Sequence, residues 1–147
     1  MSTTDTDKGW KAIVRELKSL GGSSLTIGVQ GNAGSHPSGL NMADIASFNE
    51  YGTATAPARS FLRSTFDGAD YYRDDLTRLA KRVGKQLSAR RALTILGFKI
   101  TSDVKQKIVT LKTPPNAPST IAEKGSSNPL IDTGRLRQSI DFEIGKL

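Results

Sequence analysis

The sequence predicts an α+β domain in which helices pack against a small antiparallel sheet and long loops project from the body. Three observations lead to this fold class. Short segments of alternating hydrophobicity lie towards the two ends of the chain, helical periodicity fills the middle, and two stretches are rich in Gly, Pro and Ser. The 147 residues fit a single domain spanning 1–147, since domains commonly contain about 100–150 residues.

The first third of the chain predicts a helix, a strand and a second helix. Residues 1–8 are polar and are expected to be disordered. Thr6 or Asp7 is predicted to cap a helix that ends at Gly21-Gly22. The strand covers Leu25–Val29, and a Gly/Ser/Pro-rich loop follows over 31–39. Asn41 is predicted to cap the second helix, which ends near Tyr51-Gly52. The apolar stripe of the first helix is formed by Trp10, Ile13, Val14 and Leu17.

The middle of the chain is helical in character from about residue 59 to residue 111. A helix this long is unusual in a small domain, so at least one break is expected. The segment 74–91 predicts a helix with one apolar and one basic face, the basic face carrying Arg78, Lys81, Arg82 and Lys85. A second apolar stripe consists of Leu93, Leu96, Ile100, Val104 and Leu111. Ile95 and Phe98 point away from this stripe, so we expect them to meet another layer or another subunit.

The last third begins with a connection over 113–131 that is dense in Pro, Ser, Gly and Asn. Connections of this length without secondary structure are uncommon in compact domains, and this one is expected to be an extended loop or an assembly arm. Asp132 or Thr133 is predicted to cap a short helix after it. The alternating Ile140, Phe142 and Ile144 predict a final strand that pairs with Leu25–Val29.

Composition narrows the possible functions. The chain has no cysteine and a single histidine, which argues against disulfide scaffolds, zinc fingers, thiol nucleophiles and His-rich metal clusters. No apolar run approaches the length of a membrane span, and the polar amino terminus is unlike a signal peptide. The net charge is +7, and residues 59–112 hold thirteen Lys and Arg against five Asp and Glu. An electrostatic partner should therefore meet the middle of the chain.

The sequence offers few groups for catalysis or metal binding. His36 has serine neighbours, Ser35 and Ser38, but all three lie in the Gly/Ser/Pro-rich loop rather than in a catalytic motif. The glycine-rich stretch after the first strand lacks the Lys-Ser/Thr ending of a phosphate-binding loop. Asp67, Asp70 and Asp74 share a helical spacing that could hold a divalent ion, although such groups more often form a solvated acidic face. We therefore expect no enzyme activity, no metal and no cofactor.

The basic face over 78–91 leaves two interpretations open. Its cations could neutralise nucleic-acid phosphates without reading sequence. However, few aromatic residues are interleaved with them, and no recognition-helix pattern is present. A solvated face, or one paired with an acidic neighbouring subunit, is therefore favoured over dedicated nucleic-acid binding.

Two segments of the chain resemble a known family. The first reads Asn49-Glu50-Tyr51-Gly52-Thr53 and then Pro57-Ala58-Arg59-Ser60-Phe61-Leu62-Arg63; the second runs from Pro118-Ser119-Thr120-Ile121 through Pro129-Leu130-Ile131-Asp132-Thr133-Gly134-Arg135-Leu136 to Ser139-Ile140. Together, flanking a helical middle, they resemble the neck proteins of tailed bacteriophages. These are the tail-completion, head-to-tail joining and virion-morphogenesis families. The resemblance covers roughly residues 25–145, and Ser60 stands where a proline is expected.

The resemblance implies a structural virion protein rather than an enzyme. Members of these families form a ring around the DNA channel at the head–tail junction, which implies a homo-oligomer of six or twelve subunits. Its partners would be head connector or adaptor proteins, tail terminator or tail tube proteins, and the DNA in the channel, with assembly in the host bacterial cytoplasm and no membrane. The alternative is a small DNA-binding protein that uses the basic face. The predicted assembly residues are Arg59, Arg63, Ile95, Phe98, Pro118, Ile121 and Lys124.

Overall fold

The computed structural model describes residues 9–68 and 70–147, and it has the predicted α+β fold. The predicted disordered tail and the proposed caps Thr6 and Asp7 lie outside the described residues. The two strands are β1 (Ser23–Val29) and β2 (Ile140–Lys146). The helices are α1 (Trp10–Gly21), α2 (Met42–Tyr51), α3 (Arg63–Phe66), α4 (Asp70–Ala80), α5 (Ala89–Thr110), α6 (Pro118–Lys124) and α7 (Arg135–Ser139).

The two strands pair antiparallel, which confirms the predicted pairing of the first and last strands. Leu25 lies opposite Ile144, and Ile27 lies opposite Phe142. The helix α5 packs across this small sheet at close range. A Cβ added at Gly97 would stand 2.5 Å from Cδ2 of Phe142, so the absence of a side chain lets α5 approach the sheet.

Helix α5 is the centre of the core. The predicted apolar stripe is confirmed, because Leu93, Leu96, Ile100 and Val104 are buried and Leu111 is half-buried. The stripe meets residues from both ends of the chain. The largest of the fully buried side chains are Phe61, Met42, Ile108, Ile140 and Val104. Aliphatic side chains make up most of the buried core.

The expected break in the helical middle is confirmed, but the predicted helix over 74–91 is wrong beyond Ala80. Helix α4 ends there, and a turn leads to α5, whose start is capped by Ser88 Oγ accepting from the Arg91 N–H at 3.2 Å. Gly84 in this turn has φ +80°, and a Cβ added to it would lie 2.8 Å from Cα of Ile13. Close packing of the turn against α1 therefore overrides the helical periodicity of the sequence.

Of the caps predicted at the other helix ends, one is confirmed and one differs in the structure. Asn41 caps α2 as predicted, with its Oδ1 accepting from the Ala43 N–H at 2.8 Å. Helix α7 instead has Gly134 at its cap, in the left-handed conformation, and Thr133 Oγ1 accepts from the Arg135 N–H at 3.4 Å. The 113–131 connection is not free of secondary structure, because it contains α6, with Pro118 in the first turn.

Candidate functional site

The first of the two motif segments folds around one buried carboxylate. Glu50 lies at the end of α2 and only 6% of its surface is exposed. Its two oxygens accept hydrogen bonds from the backbone N–H groups of Phe61, Leu62 and Arg63 at 2.9–3.0 Å, and from Ser60 Oγ at 2.5 Å. The carboxylate thus satisfies the free amides at the start of α3 and fixes that segment against α2. We refer to this arrangement as the Glu50 junction.

The surroundings of Glu50 keep it ionised. Burial alone raises the pKa of the carboxyl, because a low dielectric disfavours the charged form. Hydrogen bonds from Ser60 and from three backbone amides stabilise the carboxylate more strongly, and the net pKa lies below its ordinary value. Pro57 precedes α3 by several residues, because the chain runs irregularly past Glu50 before α3 begins. Phe61, in this irregular stretch, is buried.

Arg59, a predicted assembly residue, bonds to its own chain. Its Nε donates to the carbonyl of Pro114 at 2.9 Å, and its Nη2 donates to the carbonyl of Pro115 at 3.0 Å. The guanidinium therefore connects the Glu50 junction to the start of the 113–131 segment. Arg63 is exposed at the start of α3, where its side chain is accessible from solvent.

The 113–131 segment is fastened to the body before α6 by Arg59 and after α6 by Asn128. Asn128 Nδ2 donates to the carbonyl of Val109 at 2.9 Å, and Asn128 Oδ1 accepts from the Leu130 N–H at 3.1 Å. Of the predicted assembly residues here, Pro118 is exposed, whereas Ile121 and Lys124 are half-buried. Burial lowers the pKa of the Lys124 ammonium, against an opposing effect of Asp132. Only the outward side of α6 is thus accessible to a partner.

The second motif segment is tied to the loop that holds the histidine. Arg135 Nη1 donates to the carbonyl of Ser35 at 2.9 Å, and His36 Nε2 lies 3.9 Å from Oδ2 of Asp132. His36 Nδ1 accepts from the Ser38 N–H at 3.2 Å and lies 3.0 Å from Ser38 Oγ. A serine, a histidine and an aspartate are therefore neighbours beside a cavity of about 260 Å³. Nδ1 of His36, the nitrogen that would act as a general base towards Ser38, already accepts from the Ser38 N–H within a local turn. This arrangement favours a structural role for His36.

The acidic residues of the middle segment do not form a cation site. Asp67 ends α3, whereas Asp70 and Asp74 lie on α4 and are exposed. Over residues 9–68 and 70–147 there is no group of three or more His, Cys, Asp or Glu side chains placed to hold a metal ion. The same residues include no helix long and apolar enough to cross a membrane.

The four predicted basic residues are all exposed, but they do not lie on one helix. Arg78 is on α4, while Lys81, Arg82 and Lys85 belong to the turn after it. Arg78, Lys81 and Arg82 line a groove of about 440 Å³ between α4 and α5, together with Lys99 of α5. The apolar part of its lining, which we call its floor, consists of Leu79, Ile95 and Leu96. We call it the basic groove.

One carboxylate lies inside the basic groove. Asp75 accepts from both Lys99 Nζ and Arg78 Nη2, and the hydrogen bond from Lys99 is the main cause that lowers the pKa of Asp75. Lys99 Nζ also lies 5.0 Å from the ring centroid of Tyr71, within range of a cation–π contact. With four cations and one carboxylate, the groove carries a net charge of +3.

Two apolar side chains of α5 are exposed, and one of them, Ile95, lines the basic groove. Ile95 is 43% exposed and Phe98 is 65% exposed, and the Phe98 ring meets Phe142 edge-on at 5.0 Å between centroids. Both side chains point away from the core stripe as predicted. A second, larger groove of about 720 Å³ lies between α1, α4, α5 and β1, and its lining includes Leu17, Leu20, Leu25, Leu76, Leu93 and Leu96.

Two residues that organise these sites were not identified from the sequence. Glu50 stands inside the first motif segment, but nothing in its spacing indicates that it binds the amides of residues 61–63. Lys99 pairs with Asp75 across 24 residues, and a contact this distant in sequence leaves no periodic signal. Comparison of the chain with protein-family models, with curated proteins and with solved structures finds no match.

Proposed function

We propose that this chain is a structural virion protein that forms a ring in the neck of a tailed bacteriophage, where it completes the tail and joins it to the DNA-filled head. The observation that carries the proposal is that large apolar side chains are left exposed on α1, α4 and α5. Leu17, Leu76, Ile95 and Phe98 are between 38% and 65% exposed on these helices. Exposed apolar side chains of this kind mark protein–protein interfaces. The assignment to the phage neck rests on the resemblance of the two motif segments to neck proteins.

The hydrogen bonds made by side chains of the two motif segments support a structural role for these segments. Glu50, Arg59, Asn128 and Arg135 all bond to backbone groups of the same chain. Polar groups that bind a substrate must instead be directed into a cavity open to it. These four side chains therefore maintain the scaffold, although Arg135 also lines the cavity beside His36. We assign partner binding to the exposed apolar side chains of α1, α4 and α5.

DNA binding by the basic residues is the alternative function. Arg78, Lys81, Arg82 and Lys85 are exposed and close together along the chain. However, three of them border a groove whose floor is apolar, and a phosphate backbone offers no apolar surface to fill such a floor. The alternative predicts binding to duplex DNA that weakens steeply with salt, with the protein remaining monomeric.

The molar mass of the purified protein in solution tests the proposal. Light scattering at low and high salt should find a closed oligomer of six or twelve subunits, with a mass that does not increase further with concentration. A protein that stays monomeric and binds duplex DNA in a salt-sensitive manner would instead support the alternative. Electron microscopy of the oligomer should then show a ring with a central channel.

Variants locate the interface. Replacing Ile95 and Phe98 together by Ser should weaken self-association roughly 10- to 100-fold while the melting temperature changes little, because both side chains are already exposed. Tyr51→Ser is the matched control, since Tyr51 is 74% exposed on α2, away from this surface. Equal losses of folding and association in the double variant would place Ile95 and Phe98 in the core instead.

A further inference from the structure

The outward face of α4 changes charge along its length. Asp70 and Asp74 are exposed in the first half of the helix. Lys81 lies two turns beyond Asp74 on the same face, because its N–H still bonds to the carbonyl of Thr77 at 3.2 Å and prolongs the helical path. The face is thus acidic at its start and basic at its end, where it borders the basic groove.

Exposed aromatic side chains accompany the acidic residues. Tyr71 is 42% exposed and Phe66, just before α4, is 37% exposed. We call the group formed by Phe66, Asp70, Tyr71 and Asp74 the acidic end. The acidic end complements the basic groove in two ways. Its carboxylates are opposite in charge to the groove, whose net charge is +3, and its aromatic side chains can cover the apolar floor formed by Leu79, Ile95 and Leu96.

We propose that the basic groove of one subunit binds the acidic end of a second copy of this chain. This inference rests on the proposed ring, and it specifies the contact that builds it. The groove and the acidic end both lie along α4, and Tyr71 contacts Lys99 of the same subunit. The contact builds a ring when it is repeated head-to-tail, whereas an antiparallel two-fold pairing of α4 would stop at a dimer. Each subunit offers one groove and one acidic end, and a closed ring leaves neither unoccupied.

The apolar floor favours a protein segment over nucleic acid as the occupant. Ile95 is 43% exposed and would be covered by an aromatic side chain of the second copy. Lys81 and Arg82 are exposed at the rim, where they can pair with Asp70 and Asp74 of that copy. Pairing across a rim accelerates association and selects the correct partner more than it adds affinity.

A charge-exchange experiment tests the contact. The groove variant carries Lys81→Glu and Arg82→Glu, and the acidic-end variant carries Asp70→Lys and Asp74→Lys. Each variant alone brings like charges together, so its self-association should weaken about 30-fold or more. In an equal mixture, every neighbouring pair has opposite charges, and the oligomer of wild-type mass should return. Circular dichroism and thermal melting establish that each variant is folded.

Each result of the mixing experiment has one meaning. Variants that associate like the wild type, or weakened variants that mixing does not restore, would overturn the contact and leave the ring proposal standing. Restoration of a dimer only would support the contact and overturn the ring. Loss of duplex DNA binding in the groove variant, from a wild-type protein that is monomeric, would overturn both in favour of the DNA-binding alternative.

Disulfide trapping tests the same contact independently. The method is suitable because the chain has no cysteine of its own. Asp74→Cys and Lys81→Cys are introduced into one chain. Their Cα atoms lie roughly 10 Å apart along the helix, too far for a bond within one subunit. Mild oxidation should yield a ladder of covalent oligomers up to the full ring, whereas either single variant should yield none. Absence of the ladder from the double variant would contradict the contact.

Discussion

Glu50 and Asp75 are both carboxylates that hold two helical segments together, yet they do so in opposite ways. Glu50 is 6% exposed and binds backbone amides and one short side chain, all of which are fixed by the fold. Asp75 binds Arg78 and Lys99, whose side chains are 73% and 44% exposed. Fixed donors make the Glu50 junction a permanent part of the scaffold. Long, solvated cations can reorient, so the basic groove is free to exchange partners.

The comparison separates a region that determines the fold from a region available for assembly. Around Glu50 the carboxylate oxygens bind groups of the same chain. Around Asp75 the cations outnumber the carboxylate, and apolar surface remains open beside them. Disrupting the first region should therefore destabilise the protein, whereas disrupting the second should change what it binds.

The largest effect is expected from Glu50→Ala. The substitution leaves three backbone amides without their acceptor in a site that water reaches poorly, so the free energy of unfolding should fall by about 3 kcal/mol. The melting temperature should fall by about 10 °C. Urea unfolding measures the change, and Glu123→Ala on the exposed side of α6 is the control. A loss no larger than that of the control would refute the structural role of the junction.

The pH dependence of stability provides a second test of the same carboxylate. The pKa of Glu50 is lower in the folded protein than its ordinary value of 4.5, so the folded state binds fewer protons than the unfolded state near that pH. The contribution of Glu50 is therefore complete above the ordinary value and is lost as the pH falls through the lowered one. Glu50→Gln should flatten this part of the stability profile, measured by urea unfolding at pH 3 to 7. An unchanged acid slope in that variant would assign the pH dependence to other groups.

The sequence predicted what depends on local pattern. Alternation identified both strands and their pairing, and the spacing of Leu93, Leu96, Ile100 and Val104 identified the core face of α5. The exposure of Ile95 and Phe98 followed from the same spacing. These features need only the geometry of one element and an apolar interior.

What the sequence could not predict depends on contacts between distant segments. The end of α4 is set by the packing of Gly84 against Ile13, about 70 residues away, so helical periodicity alone continued the helix too far. The compact form of the 113–131 segment depends on Asn128 and on Arg59, which bind carbonyls from other elements. The basic groove likewise exists only because Lys99 of α5 is brought beside the end of α4.

An intermediate effect is expected where α5 meets the sheet, between the two regions compared above. Gly97→Ala places a methyl group within 2.5 Å of the Phe142 ring, and the ring must move or α5 must withdraw. The free energy of unfolding should fall by about 2 kcal/mol. Gly21→Ala is the matched control, because a Cβ there meets nothing within 4 Å. Equal melting temperatures for the two variants would show that Phe142 rotates away without cost.

The smallest effect on stability, and the most informative contrast with Glu50, is expected from Asp75→Asn. The substitution keeps the shape of the side chain and removes both ion pairs, but these pairs involve exposed cations, so the melting temperature should change by no more than about 2 °C. The net charge of the basic groove rises from +3 to +4, and if the groove binds an acidic end, association at low salt should become tighter. Light scattering across a salt series measures this gain, which should disappear as salt screens the charges. A loss of stability as large as that of Glu50→Ala would mean that Asp75 belongs to the scaffold, and the division between the two regions would then be wrong.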